Sequence, residues 1–224
     1  MRERLFRFKQ FAVSHSASAM KVGTDGVTLG AMAPAGGRVL DAGCGCGLIG
    51  LMLAQRGAAE VVMVEIDPAA AAEAADNAAS SPWAARVSVA CGDFLTLPLE
   101  GEFDSIVSNP PFFASGMLAP DQRRAAARHE DGMPADAFMR RAAALLAPRG
   151  TVCVILPADR VADWTFAADL CGLKCSHLCE LTTRPGADPK RVVATYCRDA
   201  GPTEVSRMAL NSDPYKTLTS PFYL

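Results

Sequence analysis

The chain has 224 residues, half of them hydrophobic, and carries 22 lysines and arginines against 24 aspartates and glutamates. This length and apolar content suffice for one large core, so the eight cysteines are not needed as disulfide staples. The nearly balanced charge does not indicate a strongly basic nucleic-acid-binding protein, although it leaves room for a local basic patch.

Neither a secretory signal nor a membrane span is predicted. The N-terminus lacks the apolar stretch of a signal peptide, and no apolar run is long enough to cross a bilayer. We therefore expect a cytoplasmic protein without membrane contact.

Three cysteines, Cys171, Cys175 and Cys179, recur every four residues, with His177 between the last two. This is not the spacing of a zinc ribbon. We expect the last two on a strand, which breaks any shared helical face, and we expect no metal site.

Strands and helices alternate along most of the chain, which predicts an α/β fold with a parallel sheet. The predicted strands are residues 38–41, 60–65, 86–90, 103–108 and 151–156, and the predicted helices are residues 48–56, 68–79, 135–146 and 160–171. Residues 174–181 and 191–197 are expected to form a closing antiparallel pair. Phe6, Phe8 and Phe11 predict strand material packed before the first βα unit.

A glycine cluster follows the first of these strands. Gly43, Gly45 and Gly47 give G-x-G-x-G, typical of methyltransferase cofactor loops, whereas Gly45, Gly47 and Gly50 give the dinucleotide spacing G-x-G-x-x-G. The first register fits better, because Gly43 lies directly after the strand and Gly50 falls inside the predicted helix.

Acidic residues follow three successive strands, where ligands bind in open sheets of this kind. The Asp41 carboxylate suits a ligand with an ammonium group, although it could equally be a buried cap of the next turn. Glu65 can accept hydrogen bonds from both hydroxyls of a ribose, and Asp67 is expected to cap the following helix. Asp93 could accept from an adenine amino group with Phe94 against the ring, or form an ordinary turn.

The sequence Asn109-Pro110-Pro111-Phe112 follows the fourth predicted strand and so lies on the same rim. A planar NH2 group is a poor nucleophile that needs acceptors for its N–H bonds rather than a strong base. The Asn109 side-chain oxygen and the Pro110 carbonyl are two such acceptors, and the prolines hold the backbone rigid. Phe112 offers a stacking face. The alternative is a rigid proline turn with a packed aromatic.

Two basic clusters are candidates for an RNA backbone, although charge runs are usually solvated surfaces. The first consists of Arg123, Arg124 and Arg128, and the second of Arg2, Arg4, Arg7 and Lys9.

Several segments together resemble the tRNA1(Val) adenine-N6 methyltransferase family. They are Phe8-Lys9-Gln10-Phe11, Ala19-Met20-Lys21-Val22-Gly23-Thr24-Asp25-Gly26-Val27, the N-P-P-F motif, Arg128-His129 and Pro221-Phe222-Tyr223. The family has small polar residues where this chain has Cys44 and Cys46, and commonly Tyr where it has Phe112. The resemblance runs nearly the full length.

The resemblance implies a Rossmann-like class I methyltransferase that transfers a methyl group from S-adenosylmethionine to adenine N6 beside the anticodon of a tRNA. It implies a mostly parallel seven-stranded sheet with an antiparallel terminal strand, formed by residues 31–224, and an N-terminal extension, residues 1–30, packed on it as part of a single domain. Residues 109–112 would hold the target amine. The cofactor would be bound by Lys21, Gly23, Thr24, Asp25, Asp41, Gly43, Gly45, Gly47, Glu65, Asp93 and Phe94, the first four beside its methionine end.

Other functions remain open at the level of the sequence. The same chemistry serves guanine N2 of an rRNA or the amide of a protein glutamine. The dinucleotide spacing would suit a nicotinamide-dependent oxidoreductase, and a non-catalytic RNA-binding relative is a further alternative. The sequence carries no signal for an oligomeric state.

Overall fold

The computed structural model describes residues 5–111 and 133–224. Its strands are β1 (Leu5–Arg7), β2 (Ala12–Ser14), β3 (Arg38–Ala42), β4 (Glu60–Glu65), β5 (Val87–Cys91), β6 (Phe103–Ser108), β7 (Leu146–Pro157), β8 (Lys174–Thr182), β9 (Arg191–Cys197) and β10 (Glu204–Ala209). Its helices are α1 (Thr24–Met32), α2 (Leu48–Gln55), α3 (Pro68–Ala79), α4 (Ala135–Leu145), α5 (Val161–Leu170) and α6 (Asp213–Thr219), with short 3-10 turns at Ala84–Arg86 and Ala158–Arg160.

Strands β3 to β10 form one sheet in the order β10-β8-β9-β7-β6-β3-β4-β5. Strands β3 to β7 are parallel, β9 is antiparallel to both of its neighbours, and β10 runs parallel to β8. The chain builds outward from β3 through β4 to β5 and then returns to the other side of β3 as β6. The carboxyl ends of β3 and β6 therefore flank the switch point, where an open α/β sheet binds its ligands.

The fold class is confirmed, and β4, β6 and α3 have the predicted bounds. Strand β9 is the antiparallel strand, and it lies inside the sheet between β7 and β8. Strand β7 begins at Leu146, earlier than predicted, because the pairing shifts from Phe103↔Leu146 to Ser105↔Thr151 and accommodates Pro148 and Gly150 in an irregularity. Strand β10 and helix α6 were not predicted.

Strands β1 and β2 form a separate two-stranded antiparallel sheet, and β2 packs against α3. Phe8, Phe11 and Val13 are buried in one cluster with residues of α1 and α2 and with Phe222 near the C-terminus. Helix α1 runs across the predicted boundary at residue 30, so the division of the chain at that point stays a prediction. Among the described helices, none is long and apolar enough to cross a membrane.

Candidate cofactor and active site

A cavity of about 560 Å³ lies at the carboxyl ends of the central strands and has two walls. One wall, which we call the core wall, is formed by residues that follow β3, β4 and β6: residues 43–46, 48–49, 65–67, Ala70, Asn109 and Pro111. The facing wall, which we call the N-terminal wall, consists of residues 17–21 and 23–26. Met133 completes the described lining.

The glycine loop of the core wall is built so that a ligand can approach the main chain. The N–H groups of Gly43 and Cys44 both donate to the Val64 carbonyl, at 2.9 and 3.0 Å, which ties the loop to β4. Gly43 and Gly45 have φ of +74° and +54°, a region that glycine enters without strain. A Cβ on Gly43 would meet no described heavy atom within 4 Å, so this position faces open space.

Glu65 lies at the end of β4 and faces the cavity, as predicted. Its Oε2 accepts from the Gly45 N–H at 2.8 Å, and its Oε1 accepts from the Asp67 N–H at 2.9 Å. Each carboxylate oxygen has a second lone-pair direction, so Glu65 keeps the capacity to accept from ligand hydroxyls. Asp67 caps α3 as predicted, with its Oδ1 accepting from Ala69 and Ala70 at 2.9 and 2.8 Å.

Asn109 follows β6 and lies at the edge of the core wall. Asp41 on β3 pairs with Val107 on β6. Gly43 and Asn109 each come two residues after these partners, so they follow the ends of two adjacent strands. The Asn109 Oδ1 is buried and has no hydrogen-bond partner among the described residues. Its neighbour Pro111 is exposed and lines the cavity, whereas Pro110 is buried and is not part of the lining.

The N-terminal wall is held by side chains rather than by regular backbone pairing. The Lys21 ammonium donates to the carbonyls of His15 and Ser18, both at 2.9 Å. From the opposite side, Glu73 on α3 accepts from the N–H groups of Ala17 and Ser18 at 3.1 and 3.0 Å. The N-terminal wall is therefore held in place by Lys21, which belongs to it, and by the Glu73 carboxylate of α3.

The first turn of α1 closes the other end of the N-terminal wall. Gly23 is the cap of this helix, and Thr24 and Asp25 line the cavity. The Asp25 Oδ2 accepts from Arg191 Nε on β9 at 2.8 Å. Part of the Asp25 carboxylate is thus engaged by the protein.

Asp41 is not part of the cavity lining. It is fully buried beneath the glycine loop, where its Oδ2 accepts from the Gly50 N–H at 2.8 Å. Burial raises the pKa of Asp41 to about 7; the Gly50 hydrogen bond opposes this rise and the negative charge of Glu65 adds to it. The geometry supports the alternative of a buried cap rather than direct contact with a ligand ammonium.

Three other predicted cofactor positions, Phe94, Asp93 and Gly47, also lie away from the described lining. Phe94 is 2% exposed and packs against Phe138 with ring centroids 5.1 Å apart, so its ring lies in the core, and its contact with a cofactor ring stays a prediction. Asp93 accepts from the Leu95 N–H at 2.9 Å, as an ordinary turn does, and its contact with adenine stays a prediction. Gly47, with φ of +81°, caps α2 behind the loop.

Several predicted residues lie outside the described residues. These are Phe112, Arg2, Arg4, Arg123, Arg124, Arg128 and His129. Of the second basic cluster, Arg7 and Lys9 are described and exposed, and the Lys9 ammonium donates to the Ser220 carbonyl at 2.7 Å.

Sequence reasoning missed three residues that shape the cavity. Met20 and Ile66, 46% and 55% exposed, present apolar side chains from opposite walls, a surface that a flat ring can cover. Ile66 could have been found, because it follows Glu65 directly at a strand end. Glu73 gives no signal in an alanine-rich helix, because its partners lie more than fifty positions earlier in the chain.

The chemistry of the walls fits S-adenosylmethionine. The loop leaves space where a Cβ on Gly43 would project, and Glu65 keeps acceptor capacity for ribose hydroxyls. The lining carries the carboxylates of Asp25, Glu65 and Asp67 against the single ammonium of Lys21, so the described lining is acidic. An acidic lining favours a ligand that carries a sulfonium and an ammonium.

Comparisons with known proteins agree with this geometry. Residues 8–161 match the family model described as methyltransferase small domain. The chain is 42% identical over 236 aligned residues to the tRNA1(Val) (adenine(37)-N6)-methyltransferase of Bacteroides fragilis, with 100% of this chain and 99% of that protein covered. It is 44% identical to the protein of the same name from Porphyromonas gingivalis, with 98% and 94% covered.

Among solved structures, a predicted O-methyltransferase from Agrobacterium tumefaciens matches with a TM-score of 0.62 at 21% identity, over 88% of this chain and 96% of that one. At this identity the match concerns the fold alone, which is that of class I methyltransferases. The full-length similarity to the curated relatives is much closer. This chain therefore belongs to the tRNA1(Val) (adenine(37)-N6)-methyltransferase family, and it is an S-adenosylmethionine-dependent methyltransferase.

Proposed function

We propose that this chain methylates N6 of adenine 37 in tRNA1(Val), the reaction in the names of its relatives. The observation that carries the proposal is the Asn109 Oδ1, a buried acceptor at the cavity that has no partner among the described residues. Leaving a buried acceptor unpaired costs free energy, on the order of 1–3 kcal/mol. A ligand N–H that reaches this oxygen recovers that free energy.

The acceptor chemistry of Asn109 suits an adenine amino group. The lone pair of that group is delocalised into the ring, so a strong base is not required. As the nitrogen becomes positively charged, its N–H bonds need oxygens that are already in place. In the proposal, Asn109 Oδ1 accepts one N–H and the Pro110 carbonyl accepts the other, while Phe112 stacks on the base.

S-adenosylmethionine, when bound, supplies a methyl group on a positively charged sulfur. The chain's own residues hold the cofactor and prevent the target nitrogen from approaching it from other directions. We assign the ribose hydroxyls to Glu65, the adenine ring to the surface between Met20 and Ile66, and the methionine end to the N-terminal wall near Asp25. This arrangement leaves the Asn109 side of the cavity for the target base.

The target adenine lies in an anticodon loop, which is single-stranded, so the base can be splayed outward into a pocket. We assign contacts with the RNA backbone to Arg123, Arg124 and Arg128 and to the exposed cations Arg7 and Lys9. Because the proposed substrate is a tRNA, we also propose that the protein acts in the cytoplasm.

A direct test uses the purified protein, labelled S-adenosylmethionine and tRNA from a strain that lacks the modification. We expect one N6-methyladenosine per tRNA1(Val), mapped to position 37 by mass spectrometry of nuclease fragments. The matched control is a tRNA1(Val) transcript in which adenine 37 is replaced by guanine, which should take up no label.

The other acceptors are outcomes of the same experiment. Label that appears in rRNA as N2-methylguanosine, or in protein as methylglutamine, with none in tRNA, would overturn the tRNA assignment and leave the cofactor assignment intact. If the control transcript is labelled as strongly as the natural one, position 37 is not the target.

A further inference from the structure

The segment between β2 and α1 forms the N-terminal wall, although residues 15–23 contain neither helix nor strand. Buried main-chain groups in such a segment need partners from elsewhere. Ser18 is 2% exposed, and the residues that follow it face the cavity. This irregular stretch therefore depends on other parts of the molecule for its position.

Helix α3 supplies the N–H partners through one carboxylate. Glu73 Oε1 accepts from the N–H groups of Ser16 and Ala17 at 2.5 and 3.1 Å and from the Ser14 hydroxyl at 3.0 Å. Its Oε2 accepts from the Ser18 N–H at 3.0 Å. Three N–H groups in succession along the chain thus converge on one side chain, which lies outside the described cavity lining.

One helical turn later, Asn77 fixes the start of the same segment. Its Oδ1 accepts from the Ser14 N–H at 2.9 Å, and its Nδ2 donates to the Ser14 carbonyl at 2.8 Å. The same Nδ2 donates to the Cys46 carbonyl of the glycine loop at 2.9 Å. Helix α3 therefore sets the N-terminal wall and the glycine loop at a fixed separation.

We infer that Glu73 is a positioning residue for cofactor binding: it holds residues 14–18 against α3, so that the N-terminal wall stands at the distance S-adenosylmethionine requires. Glu73 acts through the wall rather than by contact with the cofactor. Burial alone would raise the pKa of Glu73, but the hydrogen bonds from Ala17, Ser18, Ser16 and Ser14 outweigh it and lower the pKa, so the carboxylate is ionised at neutral pH.

The inference rests on the assignment of S-adenosylmethionine to this cavity and does not depend on the methyl acceptor. For this reason the two deciding measurements, ligand affinity and hydrogen exchange, use S-adenosylhomocysteine and no RNA. A failure of the tRNA assignment would leave their results unaffected.

The variant Glu73→Ala removes all four hydrogen bonds, and we expect the Kd for S-adenosylhomocysteine, measured by calorimetry, to rise at least about tenfold. In a hydrogen-exchange experiment without ligand, the amides of Ser16, Ala17 and Ser18 should lose protection, and saturating ligand should restore it. With methyl acceptor present, the KM for the cofactor should rise while kcat at saturation stays near that of the wild type.

The matched control is Asp76→Ala, which removes the same charge from an exposed position on the same helix. It should change neither affinity nor exchange. Glu73→Gln keeps the shape but offers one acceptor oxygen instead of two, so it should show an intermediate Kd. If Glu73→Ala does not fold, Glu73→Gln decides the outcome. Wild-type affinity for S-adenosylhomocysteine in a folded Glu73→Ala variant, or in Glu73→Gln if the alanine variant does not fold, would overturn the inference whether or not the exchange changes.

Discussion

The two walls of the cavity differ in how their polar groups are satisfied. At the core wall and beneath it, Asn109 Oδ1 and Asp41 Oδ1 are buried without a hydrogen-bond partner among the described residues. On the N-terminal wall, Lys21 and Asp25 are bonded to other protein groups, and Glu73 of α3 is bonded to the wall itself. The two buried acceptors at and beneath the core wall are thus unpaired among the described residues, whereas the charged groups that hold the N-terminal wall are paired within the protein.

This difference separates two roles within one cavity. The unpaired groups near the strand ends are held in place by the parallel pairing of β3, β4 and β6. This pairing keeps them buried although burying a polar group without a partner costs free energy. The satisfied groups hold an irregular segment in shape. Substitutions near the core wall should therefore change chemistry or proton affinity, and substitutions on the N-terminal wall should change ligand affinity and local order.

The largest effect is expected at Asn109. Asn109→Ala removes an acceptor that is already in place for the target amine, and kcat should fall roughly 10²–10³-fold, as when one preorganised hydrogen-bonding group is lost from a reaction centre. The Kd for S-adenosylhomocysteine should stay near that of the wild type. Single-turnover kinetics with tRNA1(Val) and calorimetry measure the two quantities.

Asn109→Asp is the control for Asn109→Ala, because it keeps an acceptor oxygen at the same position and leaves both prolines of the motif unchanged. It should lose far less turnover. Turnover by Asn109→Ala that matches the wild type would show that this oxygen does not hold the amine.

The second effect concerns pH and Asp41. Burial raises its pKa from 3.8 to about 7, so the folded protein holds this proton more tightly than the unfolded chain. Relative to a variant without the carboxyl, the wild type loses stability as the pH rises from about 4 to about 7, and the loss is constant above that range. Each tenfold difference in proton affinity is worth about 1.4 kcal/mol, so a rise in pKa from 3.8 to about 7 corresponds to a full loss of about 4 kcal/mol.

Urea unfolding of the wild type and Asp41→Asn at several pH values measures this loss. The difference in the free energy of unfolding between the two proteins should shift in favour of the variant as the pH rises. The variant cancels the contributions of other groups, such as Glu73, whose lowered pKa acts in the opposite direction. A difference that is flat between pH 4 and 8 would contradict the raised pKa.

Much of the fold was predictable because local patterns agree with the tertiary structure. Strand β4 is a continuous apolar run, as buried parallel strands are, and α3 begins where Asp67 and Pro68 give a cap and a first helical residue. The exposed edge strand β10 has no apolar alternation, and its residues 204–207 are exposed, so its sequence gives no strand signal. The early start of β7 was hidden by Pro148 and Gly150, which are typical of turns.

The cavity was predictable on one side only. Residues of the core wall follow strands directly, so topology places Glu65 and Asn109 together. Periodicity does not predict the N-terminal wall, because residues 15–23 have no repeating backbone pattern. Their position beside the cavity was expected only from the resemblance to the family. Their support comes from Glu73 and Asn77, whose partners are distant in sequence. The burial of Phe94 was not predictable, because its position after a strand does not indicate which way its ring turns.

The third effect is expected where the two walls touch. A Cβ on Gly45 would come within 2.9 Å of the Ser18 hydroxyl, and Gly45 has positive φ. Gly43 also has positive φ, but a Cβ there meets nothing described within 4 Å. Gly43→Ala should therefore lose roughly 1–2 kcal/mol of stability from backbone strain alone. Gly45→Ala should lose more, because Ser18 must also move.

Denaturant unfolding without ligand compares the two alanine variants. Ser18→Ala removes the hydroxyl, so in that background the two glycine substitutions should become nearly equal in cost. Equal costs in the wild-type background would mean that the glycine loop and the N-terminal wall do not support each other.

The smallest effect is expected at the outer end of the N-terminal wall. The Arg191 and Asp25 side chains are 39% and 31% exposed, and such a pair is worth at most about 1 kcal/mol. Arg191→Ala should therefore weaken S-adenosylhomocysteine binding only about twofold to fivefold. Asp25→Asn should weaken it more if the Asp25 carboxylate serves the methionine end directly, because it removes the charge that the ligand meets.

Arg207→Ala breaks a comparable pair with Glu180 at the edge of the sheet and should leave ligand affinity unchanged. Affinity that falls more for Arg191→Ala than for Asp25→Asn would mean that Arg191, and not Asp25, faces the ligand at this end of the cavity.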